Sequence, residues 1–243
     1  MARHPRLALP GIPLHVVQRG NNRGACFVGD DDRRLYLQCL ADAMRQHRCH
    51  IHAYVLMPNH VHLLVTPDAG DGVPMMMQDV GRRYVRLFNA VHRRTGTLWE
   101  GRYKAAMIDS ERYFLTCQRY VEQNPLRADL VRNAADFAWS SYRNSAFGVR
   151  NPLVTPHEIF TALGRDDDER RAAYAALFAE PIPRREMEKI REATNKGWPL
   201  GSEIFVSRIE SALGRTARPQ KRGRKSAGAE QSADLADRPE IMI

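Results

Sequence analysis

Apolar and polar positions along the first half of the chain change period several times, and turn residues mark each change. Residues 14–19 (LHVVQR) predict a strand, followed by the turn-rich GNNRG at 20–24. Asp30, Asp31 and Asp32 then open a helical pattern running to about Gln46. Leu35, Leu37, Cys39, Leu40, Ala43 and Met44 supply its apolar positions, and the acids stand at the end the helix dipole favours. Residues 49–57 (CHIHAYVLM) and 60–66 (HVHLLVT) read as two strands joined at Pro58-Asn59. So short a link makes them an antiparallel hairpin. A helix is predicted over 73–95, with Gly96 as its C-cap. Residues 102–108 (RYKAAMI) read as a fourth strand. Asp109-Ser110 supplies N-cap chemistry for a helix reaching about Asn124, where Pro125 ends it.

The order is close to βαββαβ, with a further helix. It predicts an α+β class: a ferredoxin-like sandwich with an antiparallel sheet. Beyond about residue 150 the pattern changes to short helices at 157–164, 167–180, 184–194 and 202–213, so a helical C-terminal extension follows the sheet. At 243 residues the chain holds about 1.6 domains of ordinary size. The boundaries expected are a sheet domain at 1–150, a helical accessory region at 151–214 and a basic, disordered tail at 215–243.

Composition sharpens this. A hydrophobic fraction of 43% supports a core without metal or disulfide staples. No run approaches the ~18 apolar residues of a membrane span. Pro10, Gly11 and Pro13 break the only candidate for a secretory apolar core. Cys26, Cys39, Cys49 and Cys117 are scattered and form no CxxC pair, so four reduced thiols are expected. These features predict a cytoplasmic, nucleoid-associated protein with no membrane partner. The net charge of +9 and pI near 9.7 favour a polyanionic partner. Between Gly81 and Lys104 the basic residues Arg82, Arg83, Arg86, Arg93, Arg94, Arg102 and Lys104 interleave with Tyr84, Phe88, Trp99 and Tyr103. Arginines neutralise phosphates and aromatic faces stack on unpaired bases, which suits single-stranded nucleic acid. The plain alternative is a solvated helix face with aromatics in the core.

The chemistry concentrates at His60-Val61-His62. Alternation places both rings on one strand face, about 7 Å apart, where they can converge on one divalent ion. Alone, such a pair reads as two rings on a wet sheet face. Here apolar neighbours bury the strand, and two buried polar rings need partners. Tyr120 and Asn124 lie four apart in a predicted helix and share a face. A tyrosine hydroxyl is a weak nucleophile unless assisted, and an amide oxygen is a hard metal ligand. Tyr84, Tyr103 and Tyr113 are rivals that pattern alone leaves open.

Four blocks carry a resemblance. AYVLMPN and HVHLLVTP at 53–67 resemble the HUH motif of single-tyrosine transposases. RYVEQNPLRADLV at 119–131 resembles their tyrosine helix. HVVQRGNNR at 15–23 and LWEGRYKAAMI at 98–108 match as well. Together, over about residues 8–145, they resemble the REP-associated tyrosine transposases. The resemblance implies that His60 and His62 bind Mg²⁺ or Mn²⁺, that Tyr120 is the nucleophile, and that Asn124 is the third ligand. Relatives often carry Gln there, so the adjacent Gln123 stays open as an alternative. It implies cleavage and rejoining of single-stranded hairpin DNA through a 5′-phosphotyrosine intermediate, by a homodimer or a monomer. Arg82, Arg83, Arg86 and Arg102 are candidate phosphate contacts from charge alone. Arg222 and Arg224 form an Arg-Gly-Arg core in the tail that resembles a minor-groove arm.

Two other readings remain. A ferredoxin-like sheet is also an RNA-recognition scaffold, so a non-catalytic nucleic-acid-binding protein is the alternative. A metallohydrolase built on HxH would need further ligands, for which His50 and His52 are available.

Overall fold

A computed structural model describes residues 8–218. The strands are β1 (Leu14–Arg19), β2 (Cys49–Met57), β3 (His60–Pro67) and β4 (Lys104–Met107), in the antiparallel order β2-β3-β1-β4. The helices are α1 (Asp30–Gln46), α2 (Gly72–Val91), α3 (Ser110–Glu122), α4 (Asn124–Arg127), α5 (Tyr142–Phe147), α6 (Glu158–Thr161), α7 (Asp167–Ala179), α8 (Arg184–Lys196) and α9 (Glu203–Leu213). The expected α+β, ferredoxin-like sheet is present, with β1 and β3 at its centre.

Strand alternation sorts the layers. Val61, Leu63 and Val65 of β3 join Leu14 and Val16 of β1 in a core closed by α1 and α2. Leu64 points the other way, into a core closed by α3 and α8. Both faces are therefore covered, which explains why β2 and β3 read as near-continuous apolar runs. The same alternation places His15, His60 and His62 toward α3 and α8.

The accessory region 151–214 is woven into these cores. Leu153, Phe205, Val206 and Ile209 enter the first, and Ile182, Ile190, Ala193 and Leu200 enter the second. Val154 bridges to Ile51 and Leu200 to Ile108. The composition shift near residue 150 marks a change of helix length, while the apolar stripes of the later helices close on the sheet. The tail beyond 218 lies outside the described residues.

Local chemistry departs from expectation at two helix ends. The helix predicted to 95 stops at Val91, because Arg93 takes a left-handed conformation with φ 48 and Gly96 follows at φ 82. Asp109 does not cap α3 with its side chain. Its Oδ2 instead accepts from the Ser202 N–H at 3.0 Å and the Ser202 hydroxyl at 3.1 Å, tying the start of α3 to the start of α9.

One polar group in the core has a full set of partners. The Glu122 carboxylate, at the end of α3, accepts from the hydroxyls of Ser141 (2.6 Å), Ser145 (2.9 Å) and Tyr174 (2.5 Å). Burial pushes its carboxyl up to about 7 even against these hydrogen bonds. The contacts anchor α3 to α5 and α7. All four cysteines are free and buried, Cys26, Cys39 and Cys49 in the core under α1 and α2 and Cys117 under α3.

Candidate active site

Three elements bring the reactive side chains together. β3 supplies His60 and His62, β1 supplies His15, and α3 supplies Tyr120. The His60 and His62 ring centroids are 4.9 Å apart. Tyr120 meets His62 edge-on at 6.0 Å and His15 at 5.6 Å. The His15 and His62 rings are nearly coplanar and meet edge to edge, with centroids 5.1 Å apart. Among the described residues, Tyr120 is the tyrosine whose ring meets these histidines. Tyr84 is spent in the first core, its hydroxyl donating to the Cys26 carbonyl at 2.6 Å. Tyr103 is buried, and Tyr113 faces Lys189.

The imidazoles are held neutral. Burial, then Arg19 and Arg127, lowers His60 to about 4. Burial, then Arg127, lowers His15 to about 3. Burial lowers His62 well below the usual histidine value, with His15 and His60 adding to the effect. Neutral imidazole is the form that ligates a metal.

His60 Nδ1 lies 2.6 Å from Asn59 Oδ1, and Asn59 Nδ2 donates to the Arg23 carbonyl at 3.1 Å. His62 Nδ1 lies 2.9 Å from His15 Nε2. Both Nε2 atoms are free of hydrogen bonds among the described residues. Asn124 is buried, and its Nδ2 donates to the carbonyls of Tyr120 (2.9 Å) and Val121 (3.1 Å). Its Oδ1 accepts no hydrogen bond among the described residues. Asn124 begins α4 and does not end α3, because Gln123 intervenes as the boundary. The alternative, Gln123, reaches away to the Phe178 carbonyl at 3.0 Å. Two anchored neutral imidazoles, with the unpaired amide oxygen of Asn124 one helical turn beyond Tyr120, are donor types that a divalent ion such as Mg²⁺ or Mn²⁺ accepts.

Two arginines that the sequence analysis did not single out surround the phenol. The Arg127 guanidinium lies 4.2 Å from the Tyr120 ring centroid and donates to the Tyr120 carbonyl at 2.8 Å. Its Nη1 is buried and has no partner among the described residues. Arg191 of α8 donates through Nε to the Tyr120 hydroxyl at 3.3 Å. Arg127 and His15 stood inside the sequence blocks that carried the resemblance. Arg191 lies outside them, and charge alone gave no signal for it.

The basic candidates divide. Arg82 and Arg86 are exposed on α2, on the face of the sheet away from Tyr120. Arg83 is paired with Asp42 at 3.0 Å. Arg102 is exposed in the loop before β4. That loop is tied to β1 through Gln18 Nε2 to the Gly101 carbonyl and the Glu100 N–H to the Arg19 carbonyl. Arg19 pairs with His60 across the sheet, so Arg102 stands at the end of the sheet nearest the histidines. The base-stacking reading of Tyr84 and Phe88 fails, since both are buried with Phe27 and Tyr36. Arg222 and Arg224 lie outside the described residues. His50 is engaged with Asp68, and His52 with Thr66 and Thr155. Among the described residues no cluster of three or more His, Cys, Asp or Glu could hold a metal, which leaves the HxH hydrolase without its further ligands.

Comparison with known proteins gives a consistent result. Residues 9–124 match the family model described as "Transposase IS200 like". No curated protein matches the chain. Among solved structures, a REP-associated tyrosine transposase bound to a REP hairpin aligns with a TM-score of 0.53 and 16% identity, over 65% of this chain and 93% of that one. It shares the fold. A Deinococcus radiodurans protein described as a "putative transposase" aligns at 0.35 with 23% identity, over 50% and 97%. A tRNA(His) guanylyltransferase from Saccharomyces cerevisiae aligns at 0.39 with 12% identity, over 74% and 85%. Neither of these two reaches a similarity that bears on the site. Among the described residues, no helix is long and apolar enough to cross a membrane.

Proposed function

We propose that the chain, whose residues 9–124 match the family model described as "Transposase IS200 like", cleaves and rejoins single-stranded, hairpin-flanked DNA with Tyr120 as nucleophile, as a REP-associated tyrosine transposase. The observation that carries the reading is the packing of the Tyr120 ring against His15 and His62 beneath Arg191. A pure binding module has no use for a phenol held against paired neutral imidazoles.

His60 and His62, with Asn124, would hold the Mg²⁺ or Mn²⁺. When bound, the ion polarises the scissile phosphate and offsets charge that builds on it. Tyr120 Oη attacks phosphorus, forming a P–O bond to the phenol as the bond to the 3′ oxygen breaks. The phenol proton passes to solvent, and the leaving 3′ oxygen takes one up. The product is a 5′-phosphotyrosine and a free 3′ hydroxyl. Attack by another 3′ hydroxyl reverses the step, so no nucleotide cofactor is consumed. Arg191 stabilises the phenol oxygen as its proton leaves, and the unpartnered Nη1 of Arg127 offers a donor to a phosphate oxygen. The exposed Arg102, in the loop before β4, would meet the DNA backbone.

The test is a denaturing gel of labelled single-stranded hairpin DNA from the genomic flank, with Mn²⁺ or chelator, for the wild type and Tyr120→Phe. A metal-dependent protein–DNA adduct that vanishes in Tyr120→Phe is expected. Tight binding without cleavage, with duplex and unrelated hairpins also tried, would favour the non-catalytic nucleic-acid-binding protein.

A further inference from the structure

A chain of hydrogen bonds runs from the backbone of α8 to His62, and each link has only one possible direction. The Thr194 hydroxyl lies 2.8 Å from the Ile190 carbonyl, one turn earlier in α8. A carbonyl only accepts, so the single hydroxyl proton of Thr194 is spent there. Thr194 Oγ1 also lies 2.8 Å from His15 Nδ1. With its proton committed, Oγ1 must accept, and His15 carries its proton on Nδ1. His15 Nε2 is then a lone pair. It lies 2.9 Å from His62 Nδ1, which must donate. His62 is thereby left with an unprotonated Nε2. Both His15 and Thr194 are buried, at 1% and 4% exposure, so water is poorly placed to substitute for either partner.

The hairpin turn does the same for His60. Asn59 Nδ2 donates to the Arg23 carbonyl, which orients the amide so that Oδ1 faces His60. His60 Nδ1 therefore donates, and its Nε2 is likewise a lone pair.

We propose that Thr194 is a positioning residue: through His15 it holds His62 in the tautomer whose Nε2 is free to ligate. The functional meaning rests on the reading of His62 as a metal ligand, while the tautomer itself does not. Thr194 lies outside residues 9–124, the part of the chain that matches the family model. The C-terminal extension therefore supplies a group that the sheet and tyrosine helix lack. Without an acceptor at 194, His15 loses its reason to protonate Nδ1. The pair can then invert, with His15 Nε2 donating to His62 Nδ1 and the proton of His62 moving to the Nε2 that should ligate.

The experiment uses the full chain, free of metal and DNA, with ¹⁵N-labelled histidine. Ring ¹⁵N shifts read the tautomers of His15 and His62 in the wild type, Thr194→Val and Thr194→Ser. A Mn²⁺ titration of each protein follows, with thermal unfolding as the check on folding. Expected are Nδ1-protonated His15 and His62 in the wild type and Thr194→Ser. Thr194→Val, which keeps shape and loses the acceptor, should show a mixture at His62. Its Mn²⁺ affinity should weaken about tenfold. Unchanged tautomers in Thr194→Val, or a wild type with His62 protonated on Nε2, would overturn the proposal. A wild type that shows the expected tautomers and their dependence on Thr194, yet binds no Mn²⁺, would support the proposal and sink the metal reading above it.

Discussion

Arg191 reaches Tyr120 from a sequence distance of 71 residues, at 3.3 Å from the phenol oxygen. Its own position is exposed, so its removal should leave folding almost untouched. Its value lies in charge placed where the phenol loses a proton. Arg191→Met keeps the aliphatic stem and deletes the donor. Single-turnover adduct formation should slow by about a hundredfold, with an unfolding midpoint close to wild type. A rate equal to wild type would reduce the contact to packing. The residue scale also shows what the sequence could and could not disclose. The shared face of His60 and His62 was legible because strand alternation places groups without knowledge of tertiary structure, whereas only the resemblance set Tyr120 apart from Tyr84, Tyr103 and Tyr113. His15 was not legible, since a single histidine in a strand acquires meaning only from Thr194, 179 residues away.

Elements were the most legible level. Each strand of the sheet was foreseen within about two residues, because a change of period coincides with a turn at every boundary. The arginines of α2 show where that logic stops. Periodicity tells which side of a helix is wet, but not which face of a sheet the helix covers. Arg82 and Arg86 are accordingly solvent-exposed and remote from Tyr120. The acidic start of α1 was foreseen as dipole chemistry, and the structure gives Asp32 a further task. Its Oδ2 accepts from the Val28 and Gly29 N–H groups at 2.7 and 3.1 Å, and its Oδ1 pairs with His92 just beyond α2 at 2.8 Å. Burial would raise this carboxyl, but the His92 hydrogen bond and the two N–H groups outweigh it and hold it below the usual value. A depressed folded value stabilises above the unfolded carboxylate pKa of ~3.9, and that stabilisation is lost as pH falls through the folded value. Asp32→Asn should therefore cost about 1 kcal/mol near neutral pH. The gap to wild type should close in denaturant melts below about pH 4. A gap constant with pH would assign the loss to geometry alone.

At the scale of the whole molecule, the later helices decide how the protein behaves. Leu153 and α9 complete one core, while Ile182, α8 and Leu200 complete the other. The composition shift near residue 150 suggested a boundary because sequence reports local character and not where an apolar stripe docks. With both sides of the sheet closed by the same C-terminal segment, the layers should open together. The four buried cysteines turn this into something that can be timed. Burial pushes the Cys26 and Cys49 thiols up to about 12 and raises Cys39 and Cys117 as well. Only a thiolate alkylates readily, so the folded protein should be silent to iodoacetamide and each modification should mark an opening event. Cys117 keeps time for the side bearing Tyr120, and Cys26, Cys39 and Cys49 for the opposite side. Mass-resolved labelling should find all four advancing at one rate, whereas an early Cys117 would reveal a tyrosine helix that breathes alone. The protein thus carries its own stopwatch on either side of the sheet, with no label added by design.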